Sequence, residues 1–243
     1  MKRMNTDRGR QRGGGRISPR LPFFLLYTAL FALIAFFGIG IHFLLAGKTP
    51  LLIWDTFDQQ YLAFIRIGKW IRALIRGQGA LLWDPAIGYG SDVLITLSPY
   101  AMNPLYWLSA LIPPQHSEPF FVLMLFVHQW LCGLTFSVLG FSRGREKWAV
   151  LCGMLTYAFS GSAFLCLHQT QFFVPMILFP LIIAGADRLL DRGKVGMYVL
   201  TLAYSAIYSF YHTWMIAVLA AVYTGLRLLE RRGEPGAGRR MLR

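Results

Sequence analysis

Several long stretches of this chain contain no Asp, Glu, Lys or Arg, and four of them constrain the fold more than any other feature. They cover residues 21–46, 119–141, 148–186 and 195–226. A membrane-spanning helix needs about 20 apolar residues, so the first two stretches each fit one crossing. The 39-residue third stretch is about 58 Å long as a helix and fits two crossings. The 32-residue fourth stretch, about 48 Å long as a helix, is predicted to form two short ones.

The composition excludes several classes of protein. The chain is 56% hydrophobic and only 14% charged, whereas a soluble chain carries about 25% charged residues. This excludes an ordinary soluble domain and a disordered chain. The net charge of +13 is concentrated at the ends, since 13 of the 24 basic residues precede the first apolar stretch or follow the last. Membrane proteins distribute charge in this way, so no nucleic-acid partner is predicted.

These features predict an all-α integral membrane protein with about six transmembrane helices. Residues 1–20 and 231–243 are predicted to be basic tails, and residues 47–118 a large external loop. Nineteen of the 24 basic residues then lie on one side of the membrane, and the positive-inside rule places both termini in the cytoplasm. The predicted spans within the module 21–230 lie near residues 21–46, 119–141, 148–167, 172–190, 195–210 and 212–229.

A competing topology would let residues 93–113 cross the membrane as well, because this stretch also lacks charge. It would move Arg143, Arg145 and Lys147 to the outside, against the positive-inside rule. Three prolines would also interrupt the helix. We therefore expect this segment to lie on the membrane or to dip into it.

The external loop contains a segment with helical periodicity, from Thr56 to Arg76. Apolar side chains recur there at spacings of three and four residues. At about 100° per residue, four charged residues fall within roughly 40° of one line. A helix with an apolar face and a basic stripe lies in the membrane interface, so the loop is predicted to contain juxtamembrane amphipathic helices. The stripe consists of Asp58, Lys69, Arg72 and Arg76.

Asp55 and Asp58 begin this helix, and the pattern allows two interpretations. Acidic residues near a helix N-terminus stabilise the helix by interacting with its dipole. A carboxylate at the water–lipid boundary could also act as a general base toward an acceptor hydroxyl. The basic stripe is equally consistent with attraction to anionic headgroups and with neutralisation of a lipid-phosphate leaving group.

A series of short motifs resembles the YfhO family of bacterial membrane proteins, which belong to the GT-C-type glycosyltransferases. The resemblance covers residues 21–230. The motifs follow one another in the family's order: Asp55-Thr56-Phe57-Asp58-Gln59-Gln60-Tyr61, Trp83-Asp84-Pro85, Gly88-Tyr89-Gly90, Ser98-Pro99-Tyr100, Asn103-Pro104-Leu105, His128 with Gly133, Tyr157 with Ser160-Gly161, and Pro180-Leu181.

The resemblance implies a GT-C-like fold in the bacterial cytoplasmic membrane. It also implies transfer of a sugar from a polyprenyl-phosphate donor to an extracytoplasmic acceptor, such as a cell-wall polymer or a lipid. Asp55 is then the first choice for the catalytic base and Asp58 the second. The predicted substrate-binding residues are Gln59, Tyr61 and His168, joined by the basic residues of the stripe, Lys69, Arg72 and Arg76. No metal site is predicted, and the sequence leaves a divalent cation open without requiring a cofactor.

Two further expectations concern the completeness of the chain and an alternative function. Members of the family are several times longer, so the chain is expected to be a truncated or partial member. The alternative function is a non-catalytic membrane protein, transporter-like or a scaffold, whose amphipathic helix binds anionic membrane lipids. The predicted spans contain almost no ionisable residues apart from His42, His128 and His212. Since intramembrane charge usually marks a transport path, the enzyme is favoured.

Overall fold

The computed structural model describes residues 20–51, 55–78, 82–85 and 87–231. The predicted basic tails fall outside these residues, except for Arg20 and Arg231. The described chain is almost entirely helical, and its strands are limited to one two-stranded sheet. The predicted all-α membrane class is therefore confirmed.

The apolar stretches form the long helices. A continuous helical rod is made of α1 (Arg20–Ala35), a π-helical turn (Phe36–Gly40) and α2 (Ile41–Leu45). The other long helices are α7 (Ser117–Ser142), α8 (Lys147–Ala158), α9 (Gly161–His168), α10 (Phe173–Arg192), α11 (Gly196–Tyr208) and α12 (Phe210–Arg231).

Five helical segments of the described chain are long and apolar enough to cross a membrane. Gly196–Tyr208 is apolar but has only 13 residues, which is about 20 Å of helix against a hydrocarbon core of about 30 Å. The structure therefore supports a multi-pass membrane protein, while the sixth crossing stays a prediction. The five segments are Leu21–Leu45, Pro114–Ser142, Lys147–His168, Thr170–Arg192 and Phe210–Glu230.

The loop region, residues 47–118, folds into short elements packed against the ends of the long helices. A π-helix (Asp55–Tyr61) leads into α3 (Leu62–Ile75). A small antiparallel sheet follows, in which β1 (Trp83–Asp84) pairs with β2 (Ser91–Asp92). The remainder comprises α4 (Val93–Thr96), α5 (Ser98–Ala101), α6 (Pro104–Trp107) and two 3-10 helices, Leu108–Leu111 and Pro114–His116.

Residues 93–113 form no membrane-spanning helix. Their longest helix has four residues, and both α5 and α6 have a proline in their first turn. Asn103 caps α6, because its side-chain Oδ1 accepts a hydrogen bond from the Leu105 amide at 3.2 Å. A proline cannot donate the backbone hydrogen bond that a helix interior needs, which explains the repeated breaks.

Small residues allow the long helices to approach closely. A Cβ atom on Gly133 of α7 would lie 2.1 Å from the Tyr27 hydroxyl of α1 and 2.7 Å from the Met154 carbonyl of α8. The same tyrosine hydroxyl donates to the Trp130 carbonyl at 2.8 Å. Glycine at this position therefore lets α1, α7 and α8 meet, as small residues do at helix interfaces in membranes.

An aromatic core joins the loop region to the long helices. Phe64 of α3, Tyr106 of α6 and Phe121 of α7 are each at most 1% exposed and pack edge to face. Gly68 brings α3 against the Ser109 backbone, where a Cβ would lie within 2.9 Å of its carbonyl oxygen. The loop region is thus a packed part of the fold, which fixes the position of its polar residues.

Candidate active site

The structure places Asp55 beside Gln169, where the Asp55 segment meets the junction between α9 and α10. Oδ2 of Asp55 accepts a short hydrogen bond from Nε2 of Gln169. No hydrogen-bond partner is found for the other carboxylate oxygen, Oδ1, among the residues that the structure describes. Asp55 is half-buried, so its Oδ2 is held in place while its Oδ1 is left without a hydrogen bond to the described residues.

Gln169 is the centre of a group of amide side chains. Its Oε1 accepts from Nε2 of Gln60 at 3.2 Å and from Nε2 of Gln171 at 3.2 Å. Gln60 is 0% exposed, so its amide depends on protein partners. Because Gln169 accepts with its oxygen and donates with its nitrogen, its orientation toward Asp55 is fixed by these neighbours.

The hydrogen bonds leading to Asp55 run in one direction. The Thr170 hydroxyl donates to Oε1 of Gln60 at 2.7 Å and lies 2.6 Å from the Tyr106 hydroxyl. A threonine hydroxyl carries one proton, so Tyr106 must donate to Thr170. The sequence of donors is therefore Tyr106, Thr170, Gln60 and Gln169, and it ends at the carboxylate of Asp55.

Two tyrosines, Tyr100 and Tyr106, border this group of amide side chains. The Tyr100 hydroxyl donates to Oε1 of Gln171 at 3.2 Å. Burial and the negative charge of Asp55 raise the pKa of Tyr100 to about 12, against a smaller lowering by its hydrogen bond with Gln60. Burial likewise raises the pKa of Tyr106. Both phenols are therefore protonated at neutral pH and serve as hydrogen-bond donors.

His128 anchors the loop region from inside α7. Its Nε2 lies 2.8 Å from Nδ2 of Asn103, and its Nδ1 lies 2.6 Å from the Met124 carbonyl oxygen. An amide nitrogen only donates, so Nε2 accepts and Nδ1 carries the proton. The imidazole is 0% exposed and links the Asn103 side chain of the loop region to the backbone of α7, which is a positioning role.

Asp58 and Gln59 lie on the exposed side of the π-helix. Neither side chain makes a hydrogen bond or an ion pair with the residues that the structure describes. A π-helix places its hydrogen bonds between residues i and i+5, so Asp58 is not at the angle that a uniform α-helix would give. Asp55 and Asp58 therefore differ clearly in environment, since only Asp55 joins the amide group.

Tyr61 and Arg72, both predicted to bind substrate, contact the protein itself. The Tyr61 hydroxyl lies 2.8 Å from the Ser117 hydroxyl, and its ring packs on Phe121. Nη1 of Arg72 donates to the carbonyl oxygens of Ser109 and Ala110 at 2.9 and 3.0 Å. The predicted basic stripe is therefore not one uniform face, because Arg72 binds the C-terminal end of a 3-10 helix.

Lys69, Arg76 and His168 are exposed. Only the backbone of His168 reaches the Asp55 segment, because its carbonyl oxygen accepts from the Thr56 hydroxyl at 2.9 Å. The imidazole of His168 has no hydrogen-bond partner in the described ranges. Lys69 lines a cavity on α3, and Arg76 ends that helix.

Sequence reasoning did not select Gln169, Gln60, Thr170, Tyr100 or Tyr106 as site residues. A signal was present, because the polar run His168-Gln169-Thr170-Gln171 interrupts the longest uncharged stretch. Uncharged polar side chains deep in an apolar stretch must find partners. The sequence alone does not show that the partner is Asp55, 114 residues earlier in the chain.

Within the described residues, no group of three or more His, Cys, Asp or Glu side chains could hold a metal ion. The polar atoms around Asp55 belong to amides and hydroxyls. This arrangement suits hydrogen-bond recognition and a single general base.

Comparison with known protein families identifies the family of this chain. The model of the family described as bacterial membrane protein YfhO matches residues 27–236, which include the Asp55 segment and Gln169. No curated protein and no solved structure matches the chain significantly.

Proposed function

Because the chain belongs to the YfhO family of bacterial membrane proteins, we propose that it is a GT-C-type glycosyltransferase. It transfers a sugar from a polyprenyl-phosphate donor to an acceptor outside the cytoplasmic membrane, such as a cell-wall polymer or a lipid. The observation that carries the proposal is the half-buried Asp55 carboxylate, which has one oxygen held by Gln169 and one oxygen free of described partners.

Asp55 acts as the general base. Its free Oδ1 takes the proton from the acceptor hydroxyl, and the acceptor oxygen then attacks the anomeric carbon of the sugar. The bond between that carbon and the phosphate oxygen breaks, and polyprenyl phosphate leaves with the electron pair. Attack from the face opposite the phosphate inverts the anomeric configuration. A positioned general base contributes about 10²- to 10⁴-fold to a rate.

Gln169 orients this base. A carboxylate that turns freely spends little time aimed at the acceptor, whereas a hydrogen bond to one oxygen fixes the direction of the other. The donors behind Gln169 are buried, with Gln60 at 0% and Thr170 at 1% exposure. The direction of Asp55 is therefore built into the packed part of the fold, as an efficient site requires.

The leaving phosphate needs positive charge nearby. Arg72 is engaged with two backbone carbonyls, so we assign this role to the exposed side chain of Arg76. The external location of the loop region, with both termini in the cytoplasm, belongs to the same proposal. It gives Asp55 access to a donor whose phosphate lies at the outer membrane surface.

Transfer from a labelled donor tests the proposed function. Membranes containing the full chain are given a polyprenyl-phosphate-linked radioactive sugar, and label is followed into the acceptor fraction and out of the donor lipid. Membranes without the chain are the control. We expect donor loss and acceptor labelling only with the chain present. Equal donor loss in both membranes would contradict the transferase and favour a non-catalytic, lipid-binding membrane protein.

A further inference from the structure

A cavity lies on α3, between this helix and the small sheet of the loop region. Its volume is about 380 Å³. Arg66, Lys69, Trp70 and Asp84 line it, and the other lining residues are apolar, from α3 and from Val93 of α4. A site with one charged end and an apolar wall fits an amphiphile better than a free ion.

The charges in this wall leave a net positive charge. Arg66 binds Asp84 through Nε and Nη2, each 2.5 Å from Oδ2, so these two charges compensate each other. Lys69 is exposed and has no ion-pair partner in the described part of the chain. Its ammonium group is therefore available to an anion that enters the cavity.

Trp70 adds an unused hydrogen-bond donor. Its Nε1 is buried and has no acceptor among the described residues. Buried polar groups almost always have a partner, so this indole nitrogen is an exception that needs an explanation. Lys69 and Trp70 are consecutive in α3 and both line the cavity. Because Nε1 is closed to solvent, the indole must turn toward the cavity before an oxygen of a bound anion can accept from it.

The cavity is separate from the amide group around Asp55. At about 100° per residue, Lys69 and Ala73 lie on the side of α3 opposite Phe64 and Ile67. Those two residues face the core and are at most 1% exposed. The cavity therefore opens on the side of α3 that faces away from the packed core.

The side chains around the cavity are of the type that proteins expose at a membrane surface. Trp83, next to Asp84 in β1, is 60% exposed, and Leu62 in the cavity wall is 49% exposed. Exposed tryptophan side chains are enriched at the level of lipid headgroups. A lipid headgroup is thus placed to enter the cavity from the side, with its chains along exposed apolar side chains.

We propose that this cavity binds the phosphate of an anionic phospholipid. Lys69 supplies the charge, and Arg66 is held in place by Asp84. The indole of Trp70 turns toward the cavity on binding, and its Nε1 then donates a hydrogen bond to a phosphate oxygen. The apolar wall receives the glycerol backbone and the first part of the acyl chains. This binding does not depend on the transfer reaction, and it holds α3 at the membrane surface.

Lipid binding to the purified full chain tests the proposal. Native mass spectrometry in detergent measures the affinity for phosphatidylglycerol, phosphatidylcholine and a polyprenyl phosphate. The variants are Lys69→Gln, Lys69→Arg and Trp70→Phe. Lys48→Gln is the matched control, because it removes the same exposed lysine charge from the loop region outside the cavity. Phosphatidylglycerol is expected to bind more tightly than zwitterionic phosphatidylcholine.

We expect Lys69→Gln to weaken phosphatidylglycerol binding by about tenfold or more, and Trp70→Phe by about fivefold. Lys69→Arg keeps the charge in the cavity, and Lys48→Gln removes only an exposed charge outside it, so both stay within about twofold of the original chain. A preference for polyprenyl phosphate that falls in the same two variants would overturn the phospholipid as the occupant, because the cavity would then bind the lipid carrier. Equal losses in Lys69→Gln and Lys48→Gln, with Trp70→Phe unchanged, would overturn the site. No loss in either cavity variant would overturn it as well.

Discussion

The Asp55 carboxylate accepts a hydrogen bond from the Gln169 side chain, although 114 residues separate them in the chain. Asp55 begins the loop region, and Gln169 lies between α9 and α10. This pair joins the predicted catalytic segment to the long helices. It also distinguishes Asp55 from Asp58, which is exposed three residues later.

Replacing Gln169 by Leu removes the donor to Asp55 and leaves the Gln60 amide without its acceptor. A hydrogen bond to a charged group contributes about 1.5–3 kcal/mol. We therefore expect the transfer rate to fall by about 10- to 100-fold while expression persists. The initial rate of acceptor labelling in membranes with equal amounts of protein measures this.

Gln115→Leu serves as its control, because Gln115 is exposed in the 3-10 helix before α7. Its rate should match that of the original chain. If Gln169→Leu also transfers at the original rate, Gln169 does not orient the base.

Replacing Tyr106 by Phe removes the first donor of the hydrogen-bond sequence. The ring stays, so the aromatic core with Phe64 and Phe121 is kept. Thr170 loses a buried partner, which destabilises the fold by about 1–2 kcal/mol. Denaturant unfolding in detergent micelles measures the change, and Tyr211→Phe, at a position 66% exposed, should leave stability unaltered. Equal stability of both variants would show that the Tyr106 hydroxyl adds nothing to the network.

Asp187 connects three helix ends on another part of the molecule. It is 6% exposed and accepts from Nε of Arg143 at 3.0 Å and from the Tyr223 hydroxyl, with Nε of Arg227 at 3.5 Å. Asp187→Asn leaves two arginines facing a neutral amide. Since both arginines are partly exposed, we expect the free energy of unfolding to fall by about 1–2 kcal/mol, less than for the loss of a fully buried ion pair.

Glu230→Gln is the comparison for this cluster, because it breaks only an exposed i,i+3 pair with Arg227. Such pairs contribute about 0.2–0.5 kcal/mol. Thermal unfolding of both variants should therefore differ visibly. Equal melting temperatures would mean that Asp187 contributes no more than a surface charge.

Cysteine labelling tests the predicted sidedness. Asp58 is exposed at the start of the loop region, and Arg145 is exposed between α7 and α8. In a Cys152→Ser background, which removes the exposed native thiol, a membrane-impermeant maleimide added to intact cells should label Asp58→Cys and leave Arg145→Cys unlabelled. The reverse labelling would show that the topology is inverted and that Asp55 does not lie at the outer surface.

The sequence predicts the large elements because their signals are local. An uncharged stretch longer than about 20 residues has few alternatives to a membrane helix, and the prolines of residues 93–113 explain why that stretch is broken. The interruption at His168–Gln171 is likewise visible as polar residues within an apolar run.

The detailed contacts of the site depend on long-range packing, so local sequence patterns do not predict them. A uniform helix over residues 56–76 gives a basic stripe, but the π-helix at Asp55–Tyr61 changes the angles, and Arg72 turns toward the Ser109 carbonyl. The partner of Asp55 is chosen by the packing of the loop region on α9 and α10. No local pattern near Asp55 contains that information.

Comparing Asp55→Asn with Asp58→Asn in the same transfer assay tests the central claim most directly. Both changes remove one negative charge from the same π-helix, and asparagine can still accept the hydrogen bond from Gln169. We predict that Asp55→Asn lowers the rate by about 10²- to 10⁴-fold, the contribution of a general base, with membrane insertion unchanged. Asp58→Asn should keep the rate within a few-fold of the original. Undiminished transfer by Asp55→Asn would contradict the account.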